Sequence, residues 1–138
     1  MNGKPNLVTK LTAFSLALFV AQSLGCGGPK PPAIKTYNTT GTVTYKDGSP
    51  ASKCIIQFAP ESDPGLNISA ISEDDGSFEL ITLHENDNLP GAVAGPCRVT
   101  ITLPIVTPIP KTLTLKEKYE ISEDDNHFEI KLAVPPQG

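Results

Sequence analysis

The chain has 138 residues, 38% of them apolar, with 14 Pro, 11 Gly, 3 Cys and no Trp. That is enough for one small domain and an appendage, and too little for two ordinary cores. Its 11 basic residues face 15 acidic ones and Arg98 is the sole arginine, so no basic stripe exists to neutralise a phosphate backbone, and a nucleic-acid partner is not expected.

Lys4 and Lys10 precede an uncharged apolar run over 11–21, and no charge follows until Lys30. This is the layout of a secretory signal peptide. Gln22, Ser23 and the Gly/Pro-rich stretch 25–29 end the run well short of the roughly 20 apolar residues a membrane span needs. Loss of this segment with its two lysines leaves 9 basic residues against 15 acidic ones, a net charge of −6, which favours solubility over adhesion to an anionic bilayer.

The segment Ser23-Leu24-Gly25-Cys26 resembles the lipobox of bacterial lipoproteins. That resemblance implies cleavage between Gly25 and Cys26 and fatty acylation of Cys26. Several acyl chains, at about 0.8 kcal/mol per buried methylene, hold a protein on a membrane where one chain does not. Gly27 after the cysteine is unlike an inner-membrane retention signal, so the outer membrane is the expected address. The alternatives are ordinary signal cleavage with a free thiol, and an uncleaved core segment. Residues 1–25 are thus read as the signal peptide and 26–36 as a Pro/Gly-rich tether: its glycines act as a swivel and its prolines as a stiff spacer.

From Tyr37 onward the pattern becomes period-two alternation with turn residues between, and no helical stripe of useful length. Residues 37–138 are expected to form an all-β domain, a seven-stranded antiparallel β-sandwich with strands over 40–46, 53–59, 67–72, 77–82, 97–103, 111–116 and 127–133. The alternation places Cys54, Ile56 and Phe58 on an inward face. Phe78 and Leu80, then Cys97, Val99 and Ile101, then Leu113 and Leu115, then Phe128, Ile130 and Leu132 follow the same rule. Asp47-Gly48 and Asp75-Gly76 supply turns with Gly where φ must be positive. The segments 71–80 and 121–130 match at seven of ten positions, which reads as a recurring strand, acidic turn, strand unit.

Segment 41–50 (GTVTYKDGSP), the run 54–60 (CIIQFAP), the acidic turn before Phe78, and Gly91 to Gly95 leading into Val99 together resemble the carboxypeptidase regulatory-like (transthyretin-like) β-sandwich lipoproteins of planctomycete-type bacteria. The resemblance spans nearly the whole mature chain. It implies a transthyretin-like or immunoglobulin-like sandwich anchored by its lipid; because the chain contains no G-x-S-x-G elbow and no Gly-rich phosphate loop, no catalytic residue and no cofactor are expected, and the expected partner is another envelope protein or a glycan. Such sandwiches bind glycans through aromatic platforms, for which only Tyr37, Tyr45 and Tyr119 are candidates here. Transthyretin-related hydrolases instead use clustered histidines, arginine and a Tyr-Arg-Gly-Ser tail, whereas this chain ends Val134-Pro-Pro-Gln-Gly138.

With Cys26 acylated, Cys54 and Cys97 remain as an even pair in an exported domain. They are candidates for a disulfide closing a loop of about 44 residues, worth roughly 4 kcal/mol on the chain-entropy model. Alternatively they are buried free thiols acting as small apolar side chains. His84 and His127 lack a second ligand at zinc spacing, so no metal is expected there. Asp74, Asp75, Asp124 and Asp125 are calcium candidates only if their two turns converge; read separately they are solvated turn tips. Asn38-Thr39-Thr40 and Asn67-Ile68-Ser69 fit the glycosylation sequon, a coincidence if the chain is a bacterial lipoprotein.

Overall fold

In the computed structural model, which describes residues 34–105 and 111–136, period-two burial produces strands and no helix. There are nine strands among the described residues: β1 (Thr39–Thr44), β2 (Ile55–Pro60), β3 (Asn67–Ile71), β4 (Ser77–Glu79), β5 (Ile81–His84), β6 (Asp87–Pro90), β7 (Gly95–Thr102), β8 (Thr112–Ile121) and β9 (Asn126–Lys131). They form a small sheet in the order β4-β1-β9 and a large one in the order β6-β5-β3-β2-β7-β8. The signal segment, Gly25, Cys26 and most of the tether lie outside the described residues.

The two sheets bury one face each against a shared core. Cys54, Ile56, Phe58, Ile68, Cys97, Val99 and Ile101 come from the large sheet, while Val43, Phe78 and Ile130 come from the small one. Phe58 and Tyr119 from the large sheet and Phe128 from the small sheet meet as a trio, with ring centroids 5.4 to 6.0 Å apart, joining the layers at one point. Of these, Cys54, Ile56, Phe58, Phe78, Cys97, Val99, Ile101, Phe128 and Ile130 are on the faces the alternation marks. At about 25 cal/mol per Å² of apolar surface, their burial is what holds the layers together.

Four expectations about the strands are corrected. The stretch 77–82 is not one strand: β4 pairs with β1 in the small sheet, the chain bends at Leu80, and β5 pairs with β3 in the large sheet. The strand β6 adds an edge through a hairpin in which His84 pairs with Asp87. The last strand, β9, runs parallel to β1, with Thr39 level with Asn126 and Thr44 with Lys131, so the sandwich is not wholly antiparallel. Moreover, β8 runs on to Ile121, because Arg98 pairs with Lys118 and Thr100 with Thr114. The bulge absorbs the charged stretch and returns Tyr119 and Ile121 to the inner side.

The closest internal repeat is a short one. In both Asp47-Gly48-Ser49 and Asp75-Gly76-Ser77, the Asp Oδ1 accepts the Ser N–H (2.9 Å) and the Ser hydroxyl (2.6 Å). Both glycines have positive φ, +90° and +84°, and the flanking backbone bonds match: Gly48 N–H to Tyr45 O and Tyr45 N–H to Ser49 O, then Gly76 N–H to Glu73 O and Glu73 N–H to Ser77 O. Each is a turn closed by a left-handed Gly bulge. By contrast, 71–80 and 121–130 are not copies of one hairpin. Both carry the chain from the large sheet to the small one, and their facing upstream of the turn is opposite, with Ile71 exposed and Ile121 buried.

Ser72 ties the approach to β2. Its Oγ donates to the Ala51 carbonyl (2.6 Å) and accepts from the Cys54 N–H (2.9 Å), all in the buried interior. The Ser72→Ala variant strands both groups and is expected to lose roughly 2–3 kcal/mol in urea unfolding, with an unchanged m value. The two Asp-Gly-Ser turns give a paired prediction. A Cβ at Gly48 meets nothing, so Gly48→Ala carries only the left-handed backbone strain, about 1–2 kcal/mol. A Cβ at Gly76 runs into the Val43 carbonyl that accepts the Ala51 N–H, so Gly76→Ala is expected to cost at least about 1 kcal/mol more in the same measurement.

Candidate functional site

Cys54 and Cys97 are buried, free thiols. The disulfide expectation is corrected by the register of the strands that carry them. Cys97 lies opposite Pro60, while Cys54 immediately precedes Ile55, which lies opposite Thr102. The cysteines therefore sit at opposite ends of the β2–β7 ladder, about 20 Å apart at strand rise, against the roughly 7 Å between Cα atoms that a disulfide tolerates. The alternation identified their shared face and carried no information on their height along it.

Burial, reinforced by Glu120 and Glu61, pushes the Cys97 thiol up to about 11. Burial also raises Cys54, partly offset by the neighbouring hydroxyls of Ser72 and Tyr45. Neither environment favours a thiolate nucleophile. In native protein, Ellman's reagent is expected to leave both thiols unlabelled at pH 8 and to label both in urea, with peptide mass assigning the sites. Because the Cys97 pKa is raised on folding, its contribution is intact below pH 9 and fades as pH climbs toward 11. Urea stability is expected to fall over that interval by roughly 2–3 kcal/mol more in the wild type than in Cys97→Ala.

The acidic turns do not converge. The Gly76 carbonyl binds the Val43 N–H, whereas the Asn126 N–H binds the Asn38 carbonyl, so the turns leave opposite ends of β1. The Asp75 carboxylate is engaged by Ser77, which holds its pKa below the ordinary value. Asp74, Asp124 and Asp125 are exposed. The second turn is organised by the side chain of Asn126: its Nδ2 donates to the Asp124 and Ser122 carbonyls and its Oδ1 accepts from Ser122. Among the described residues no three His, Cys, Asp or Glu side chains gather as a metal site.

The three tyrosines do not make a stacking platform. Tyr45 is in the core, Tyr119 belongs to the aromatic trio, and Tyr37 is half-buried beneath the Lys35 ammonium, 5.2 Å from its ring centre. His84 is half-buried at the end of β5, and His127 is exposed on β9 with its Nδ1 3.1 Å from Thr40 Oγ1.

The candidate site is a groove of about 820 Å³ that the sequence reading did not single out. Its apolar side is the outer face of the large sheet: Ile55 (44% exposed), Ile71 (65%), Ile81 (42%) and Leu83 (40%). Register makes these neighbours, since Ile55 pairs with Ile71 and Ser69 with Ile81. Its polar side comes from the small sheet, where Glu79, Thr40 and His127 are level across β4, β1 and β9. Glu73 also lines it. The sequence does contain a signal for this surface. Strands with one wet face carry apolar residues in one phase only, whereas Ile55 beside Ile56, Ile71 beside Ala70 and Ile81 beside Leu80 fill both phases. Contiguous exposed apolar surface with a polar rim is characteristic of interaction sites.

No protein-family model matches the chain, and no curated protein matches it.

Proposed function

We propose that the chain is a lipid-anchored protein of the bacterial cell envelope whose β-sandwich, of the carboxypeptidase regulatory-like (transthyretin-like) type, serves as a non-enzymatic structural or protein-interaction module. Export through residues 1–25 and acylation at Cys26 place it on a membrane, with the outer membrane preferred. The observation that carries this reading is the coincidence, within one short segment, of two lysines, an apolar run, Gly25-Cys26 and a Pro/Gly-rich tether leading to a single folded unit. The groove supports the interaction role, because it offers solvent a patch of branched aliphatic side chains that a domain without partners has no reason to keep exposed.

Detergent partition and intact mass test the anchor. The natural protein is expected to enter the detergent phase and to lack residues 1–25, with a mass that includes fatty adducts. Cys26→Ala is expected to shift at least tenfold toward the aqueous phase. Equal partition of the two proteins, or recovery of the natural protein with an unmodified leader, removes the proposal.

A further inference from the structure

We infer that the groove takes an extended peptide strand of a partner protein, apolar at alternate positions and basic at the positions between. This inference deepens the interaction role proposed above and rests on it.

The two sides of the groove differ in chemistry, and a β-strand is the element whose two sides differ in the same way, since successive side chains point to opposite faces. One side of the bound strand lies against Ile55, Ile71, Ile81 and Leu83; the other meets hydroxyls and carboxylates. The charge is one-signed: Glu73 and Glu79 line the groove and no Lys or Arg does. Among the described residues the single ion pair, Lys118 with Glu61, lies elsewhere, so neither groove carboxylate has an internal cation partner. The imidazole of His127 lies beside Thr40. Lysine or arginine at alternate positions is the complement of such a wall.

Main-chain hydrogen bonding is also on offer. As the outer strand of the small sheet, β4 lines the groove through Ser77, Phe78 and Glu79. The Leu80 N–H bonds the Thr39 carbonyl across the ladder, so alternation turns the Glu79 N–H and C=O toward the free edge. Addition of a strand to an open edge, with side-chain pockets beside it, is an established mode of peptide recognition. The volume of about 820 Å³ accommodates several side chains at once.

The test uses the full chain, purified from membranes in detergent, and fluorescence anisotropy with three labelled, end-capped ten-residue peptides. One alternates Val and Lys, one alternates Val and Glu, and one carries the Val and Lys residues in two blocks. The alternating basic peptide is expected to bind at least tenfold more tightly than either control and to weaken with salt. Ile71→Lys is expected to reduce that affinity at least tenfold. The double variant Glu73→Lys/Glu79→Lys is expected to reverse the preference toward the acidic peptide. All three positions are exposed, and an unchanged circular dichroism spectrum verifies that each variant is folded.

Equal binding of the three peptides, no binding of any, or wild-type affinity in Ile71→Lys overturns the inference. So does a dimer in sedimentation that Ile71→Lys dissolves, which assigns the face to a second copy of the chain. Fatty adducts on Cys26 without peptide binding remove this inference and leave the anchor; peptide binding by a protein without adducts removes the anchor and leaves the groove.

Discussion

The pairing of β1 on both of its edges is the constraint on which the rest of the structure depends. β4 lies antiparallel along one side and β9 parallel along the other, and the second contact joins the first strand of the domain to its last. A parallel neighbour cannot be reached by a tight turn, so the chain has to travel through the large sheet before it returns. The layers, the crossings at 72–76 and 122–125, and the polar side of the groove all follow from that arrangement. Gly41 at the middle of β1 makes it fit: a side chain there would run into the Phe78 ring on one side and the Phe128 carbonyl on the other.

The fold was legible where burial and alternation agree. Cys54, Ile56, Phe58, Cys97, Val99 and Ile101 are all fully buried, as their phase requires. The division of 77–82 into two strands was hidden because Phe78, Leu80 and Thr82 remain buried in one continuous phase while their hydrogen-bond partners change sheets. Thr82 conceals its polarity by donating to the Gly91 carbonyl at 2.8 Å. The edge strand β6 was illegible for the opposite reason: Asp87, Asn88 and Pro90 are exposed and carry no apolar period. Long sequence matches also misled where a short one did not, because seven identities over 71–80 and 121–130 reflect two sheet crossings, whereas three residues, Asp-Gly-Ser, specify one turn twice.

The candidate site was less legible. Periodicity assigns residues to faces but not to heights, so it placed both cysteines inside and left their separation along the ladder unknown. The two acidic turns failed to meet for the same reason, since only the register of β1 against β4 and β9 shows which end each occupies. The groove combines residues from β1, β2, β3, β4, β5, β6 and β9, and no local stretch of sequence contains it. What the sequence did hold was the anomaly of adjacent isoleucines at 55 and 56, one more apolar residue than a half-wet strand requires.

The two-sided pairing of β1 also has a mechanical consequence. A pull entering through Ile34 meets the Tyr37 to Ala92 bridge and then β1, whose ladders run along the strand on both flanks. Tension along that axis shears many backbone bonds together, where tension across it would open them one at a time. β1 is therefore the strand of the small sheet best built to bear load, and the domain can resist traction entering at Ile34 without first peeling apart.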